Sequence, residues 1–122
     1  MLPVTALTKE EVENCPIRQV LSKVTGKWQM LILLVLEDGA LRFGELKRTI
    51  GEVTQRVLTE NLRGLERDGF LTRTVTPGPP VAVHYELTEL GLDLMQRIKD
   101  LTLWAAANHD QIRQSRAAYD QA

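Results

Sequence analysis

Two glycines, Gly51 and Gly69, bracket a stretch that reads as a helix with one buried face. Thr54 is a good N-cap, because its hydroxyl can accept a hydrogen bond from an otherwise unpaired N–H of the first turn. Gly69 suits the position just past the end, where the chain turns left-handed without a Cβ penalty. Leu58, Leu62 and Leu65 recur at helical spacing and form the buried stripe. Gln55, Arg56, Thr59, Glu60 and Arg63 fall on the other side. Amide, hydroxyl and guanidinium groups in that arrangement match base edges and phosphates. A solvated charged face is the competing explanation, so the flanking segments decide between them.

A second, shorter helix precedes this one. Phe43, Leu46 and Ile50 mark its apolar side, with Glu45, Lys47 and Arg48 outward. Gly51 breaks the chain between the two, which is the layout of a helix-turn-helix. After Gly69 the period changes. Phe70 to Thr76 is rich in strand formers. Pro77-Gly78-Pro79-Pro80 cannot continue a ladder and marks a hairpin tip. Val81, Val83, Tyr85 and Leu87 then alternate with Ala82, His84 and Glu86, a second strand with one apolar face. Helix, turn, helix and hairpin together predict an α+β, mainly helical fold: a winged helix-turn-helix with a β-hairpin wing.

Charge supports this placement weakly. The net formal charge over 122 residues is −1, whereas Arg42 to Arg73 holds seven basic and five acidic residues. The middle of the chain is therefore slightly basic and the rest acidic, which permits nucleic-acid binding without requiring it. One cysteine rules out an intrachain disulfide and a cysteine-built metal site, and no metal or cofactor is expected. No secretory signal is visible, and the longest apolar run, Met30 to Leu36, is far short of the roughly 20 residues that a membrane span needs. A soluble, cytoplasmic protein is expected.

Around this centre the chain divides into an N-terminal arm (1–14), a core (15–87), a long C-terminal helix (88–116) and a tail (117–122). Thr8 and Glu11 fit a capping box within the arm. Pro16 suits a first helical position, which makes Cys15 the N-cap, and Ile17, Val20, Leu21 and Val24 follow as an apolar stripe. Gly26 to Leu36 is apolar nearly all round and belongs at the domain centre, with Trp28 in the core. Ala40-Leu41-Arg42 reads as a short extended link. Thr88 caps the last helix, along which Leu90, Leu94, Ile98, Leu101, Ala105, Asn108 and Ile112 repeat near heptad spacing beside Leu103 and Trp104. A helix that outruns so small a domain needs a partner, and a second copy of the chain is the simplest. The expected dimer interface is Leu94, Ile98, Leu101, Trp104, Ala105 and Ile112.

These elements carry a resemblance. Cys15-Pro16, Gly26-Lys27-Trp28, Arg42-Phe43, Glu45-Leu46, Leu58-Thr59, Leu62, Leu65-Glu66, Asp68-Gly69, Arg73, Pro79-Pro80, Tyr85-Glu86-Leu87-Thr88-Glu89 and Gly91 resemble the HxlR-type regulators, relatives in architecture of the MarR group. The likeness spans roughly residues 15 to 95. It implies a homodimeric transcriptional regulator on a pseudo-palindromic operator of double-stranded DNA. It puts the recognition helix at Thr54 to Asp68 and the wing at Arg73 to Tyr85. It also implies that the cysteine at position 15 senses an oxidant or small electrophile in some members. The paired prolines usually sit closer to the tyrosine than here, so the wing tip is reshaped.

Thr54, Gln55, Arg56, Thr59 and Arg63 are accordingly expected at base edges and phosphates. Arg42, Lys47, Arg48 and Arg73 are expected along the backbone. The rival is a winged-helix protein-interaction module without DNA binding, and the arginines of the second helix stand against it. A thiol peroxidase using Cys15 lacks a resolving cysteine and a supporting His/Asp constellation, so no enzyme is expected. Placed at a helix start, Cys15 faces unpaired N–H groups that favour a thiolate, while Glu11 and Glu13 oppose it.

Overall fold

The computed structural model describes residues 8–122; the first seven residues of the arm lie outside them. The capping box of Thr8 is formed: its N–H donates to Glu11 Oε2 at 3.2 Å, and Glu11 N–H donates to Thr8 Oγ1 at 3.1 Å. This opens α1, Lys9–Glu13. A π turn, Ile17–Leu21, then runs straight into α2, Ser22–Val24. Cys15 sits just before it, and its carbonyl accepts the Gln19 N–H at 2.8 Å, as an N-cap carbonyl does. Only Val24 of the expected apolar stripe is buried; Ile17, Val20 and Leu21 face solvent.

α3, Lys27–Val35, is the central helix and touches α2 and both helices of the helix-turn-helix. Ile32, Leu33 and Leu36 are fully buried, and Trp28, Met30, Leu34 and Val35 pack partly buried against the same core. A helix apolar on every side has nowhere else to go. Lys27 Nζ lies 4.5 Å from the Trp28 ring centroid, covering the exposed part of that ring.

The link at Ala40-Leu41-Arg42 is more than a link. Leu41–Arg42 forms β1, which pairs antiparallel with the wing in the order β1-β3-β2. Leu41 stands opposite Tyr85, and Arg42 opposite His84. A two-residue strand has no periodicity of its own, so only its distant partner reveals it. β2, Leu71–Thr76, and β3, Ala82–Leu87, form the hairpin, with Arg73 opposite Tyr85 and Thr74 opposite His84.

α6 runs from Glu89 to Gln121 and absorbs the expected tail. Periodicity fades after Arg116, but Ala117, Ala118 and Gln121 are good helix formers, and nothing there breaks the ladder. Thr88 ties its start to the wing. Its Oγ1–H donates to Gly69 O at 2.6 Å, and its Oγ1 accepts from Gly91 N–H at 3.1 Å. Further along, Lys99 Nζ meets Glu37 Oε1 at 2.9 Å, pinning α6 to the end of α3. That carboxylate raises the Lys99 pKa above its ordinary value.

The apolar seam of α6 divides in two. Ile98, expected at the dimer interface, is 4% exposed and belongs to the protomer's own core, and Leu94 packs against that core. Packing on one's own domain and packing on a partner use the same helical spacing, so spacing alone does not separate them. Leu101, Trp104 and Ala105 remain exposed and Ile112 half-buried.

Candidate nucleic-acid interface

α4, Phe43–Ile50, and α5, Gln55–Arg67, build the helix-turn-helix. Arg42 N–H donates to Glu45 Oε1 at 3.0 Å and starts α4. Gly51 ends it at φ +92°, a value that side chains strongly resist, while its N–H still reaches Lys47 O at 3.0 Å. Val53 is buried and anchors the turn. Thr54 Oγ1 accepts the Val57 N–H at 3.2 Å, so α5 starts where its cap dictates. It ends as a Schellman motif: Gly69 N–H reaches Glu66 O at 3.0 Å and Phe70 N–H reaches Leu65 O at 2.9 Å, with Gly69 at φ +85°. Leu58, Leu62 and Leu65 are buried as expected, which fixes the rotation of α5 and turns its polar side outward.

That outward side has two parts. Gln55, Thr59 and Arg63 line a groove of about 460 Å³ between α5 and the wing, closed on the far side by Arg73. Phe43, Val83 and Tyr85 form its apolar floor, and Glu66 stands at its rim. The sequence reading assigned no site role to these four. Val83 and Tyr85 read as core positions of a strand, Phe43 as the inner side of α4, and Glu66 lacks the positive charge being sought. Glu66 was within reach, because it lies seven residues beyond Thr59 and so on the same helical line.

Arg56 points elsewhere. Its Nε–H donates to Glu60 Oε1 at 3.1 Å, an exposed i,i+4 ion pair. Glu60 borders a separate cleft with Ser22, Lys23 and Gln29 on the opposite flank of α5. Such a pair contributes well under about 1 kcal/mol, so a phosphate competes readily for this guanidinium. Arg67, unremarked in the sequence, is exposed in the last turn of α5.

The four residues expected along the backbone do not form one cluster. Lys47 and Arg48 are exposed in the last turn of α4. Arg73 shares a sheet face with its partner Tyr85, toward the groove, whereas Arg42 pairs with His84 and so lies on the other face. There Arg42 Nε–H donates to His84 Nε2 at 3.4 Å.

The comparisons agree with this geometry. Residues 23–113 match the model of the HxlR-like helix-turn-helix family. The chain is 41% identical over 109 residues to YtfH, an HTH-type transcriptional regulator of Escherichia coli (strain K12), covering 87% of this chain and 86% of that one. A solved structure of the ytfH regulator from Salmonella typhimurium superposes with a TM-score of 0.78 at 41% identity, over 86% of this chain and 94% of that chain. The redox regulator HypR in its reduced form superposes with a TM-score of 0.75 at 35% identity, over 81% of this chain and 98% of that chain.

Proposed function

The chain belongs to the HxlR-like helix-turn-helix family of transcriptional regulators, and from that premise we propose that it works as a homodimer on a pseudo-palindromic DNA operator. The observation that carries this reading is the groove face of α5, where Gln55, Thr59 and Arg63 stand beside Arg73 of the wing. With α5 in the major groove, Gln55 and Arg63 meet base edges and Thr59 either bases or backbone. Lys47, Arg48 and Arg73 set the register on phosphates, and Arg56 leaves Glu60 for a phosphate or base. Arg42 serves the backbone from the outer side of the wing.

Dimerisation rests on Leu101, Trp104, Ala105 and Ile112, the part of the α6 seam that the protomer does not cover. Trp104 is 58% exposed. Apolar surface of this kind on a helix that outruns its domain calls for a partner. Ile17, Val20, Leu21 and Leu90 extend the same apolar exposure toward the N-terminal segment, since Val20 and Leu90 line one cleft. Two copies joined there present two α5 helices to half-sites about one helical turn apart, or a multiple of it. Among the described residues no helix is long and apolar enough to cross a membrane, and the site of action is the cytoplasm, with the DNA.

Cys15 is the proposed input. It is 8% exposed and opens the segment that carries Ile17, Val20 and Leu21. An electrophile with an activated double bond adds at the sulfur: the S–C bond forms, and the carbon that receives the electron pair takes a proton. Such an adduct does not fit a buried position and displaces the segment next to the dimer surface. The redox regulator among the structural neighbours is the precedent for an oxidant in the same role.

The test is DNA selection from genomic fragments under reducing and oxidising conditions, followed by salt titration on the selected site. A dimer holding phosphates loses affinity log-linearly with salt. A flat salt response, with no fragment enriched, supports the protein-interaction module instead.

A further inference from the structure

From Thr74 to Val83 the wing carries no charged side chain over ten consecutive residues. Pro77, Pro79 and Pro80 also lack a backbone N–H, so three positions at the tip have no donor to offer a phosphate. What the tip does offer is apolar. Val75 is 46% exposed and Val81 62% exposed, flanking the prolines. The hairpin is paired as far as Thr76 and Ala82, so this surface is held on a ladder rather than on a loose loop. The same hairpin supplies Arg73 and Val83 to the groove beside α5. Its tip lies four residues past Arg73, an extension of about 13 Å at strand rise.

We propose that the wing tip enters the minor groove next to each half-site as an uncharged apolar wedge, contacting sugars and base edges rather than phosphates. The inference rests on the DNA-binding reading above. The recognition groove and the tip are one continuous surface, so DNA held by α5 meets the tip next. A tip without cations or donors gains nothing along the phosphate ridge. In the minor groove, Val75, Val81 and the proline rings bury apolar area. The amino group of guanine stands in that groove and obstructs close apolar contact, so the tip favours A·T pairs there.

The experiment uses the full-length protein and labelled 40-base-pair duplexes carrying the site that wild type selects from random sequence. Val81→Ser and Val75→Ser/Val81→Ser are compared with Arg73→Ala, with thermal unfolding as a check that all are folded. The double variant should lose affinity on the order of tenfold, for two lost valine contacts, while the log–log salt slope stays at the wild-type value. Arg73→Ala should lower the slope by about one. Replacing adenine by 2,6-diaminopurine in the flanking segments adds an amino group to the minor groove alone. It should weaken wild type several-fold and leave the double variant nearly unaffected. Serine variants that bind like wild type overturn the wedge, and so does diaminopurine that is harmless or harms both proteins equally. If wild type selects no site at all, the DNA-binding reading fails before the wedge is reached.

Discussion

Arg56 and Gln55 are neighbours in sequence but not in task. Gln55 faces the groove beside the wing, and Arg56 is tied to Glu60 on the outer flank. Gln55→Ala or Arg63→Ala should therefore cost on the order of 1–3 kcal/mol on the selected site and relax its sequence preference. Lys47→Ala should weaken every duplex alike. Glu60→Gln should do the opposite, because it frees Arg56 and removes a carboxylate from the approach. Fluorescence anisotropy on specific and mixed-sequence duplexes should show tighter binding to both and a steeper salt slope. Unchanged binding in that variant would mean that Arg56 lies off the DNA. Gly91 shows how little room one position leaves: a Cβ there would sit 2.0 Å from Phe70 O. Backbone cannot yield as a flexible side chain does, so Gly91→Ala should lose about 1–3 kcal/mol in chemical denaturation. Gly64, with open space around it in the middle of α5, is the contrast. Gly64→Ala should gain roughly 0.5–1 kcal/mol.

α5 is held in place by its ends as much as by its buried leucines. Removing the Thr54 cap in Thr54→Ala should cost about 1 kcal/mol, read as a lower Tm. It should also weaken DNA binding, since the first turn carries Gln55 and Arg56. α6 behaves as two elements in series. Its early turns place Met95 and Ile98 in the protomer core, so truncation after Thr88 should unfold the domain. Truncation after Thr102 spares those residues and removes Trp104, Ala105 and Ile112. That shorter chain should fold, sediment as a monomer and protect at most a half-site. A stable dimer from it would move the interface to Ile17, Val20 and Leu21. The bridge between Lys99 and Glu37 joins the two helices at this boundary. Because Glu37 raises the Lys99 pKa, its contribution is whole below the ordinary lysine value and fades only as pH rises through the raised one. Around neutral pH the sensitive variable is salt instead.

At the scale of the whole molecule, local signals specified nearly every element. Caps at Thr8, Thr54 and Thr88, stops at Gly51 and Gly69, and period changes after Gly69 all act within a few residues. They are legible because hydrogen bonds at helix ends and left-handed turns depend on which residue stands at one position. The rotation of α5 was legible too, since Leu58, Leu62 and Leu65 left its polar side no other direction. What the chain by itself did not determine is whatever needs a partner far along it. β1 exists because β3 lies beside it, and Arg42 and Arg73 part because pairing register assigns them opposite sheet faces. Val83 and Tyr85 form a groove floor only once α5 stands over the wing. Ile98 was assigned to a neighbour's surface because helical spacing records that a face is apolar, not what covers it. Tertiary packing made that choice, by giving the early turns of α6 to the protomer's own core and leaving Leu101 and Trp104 bare.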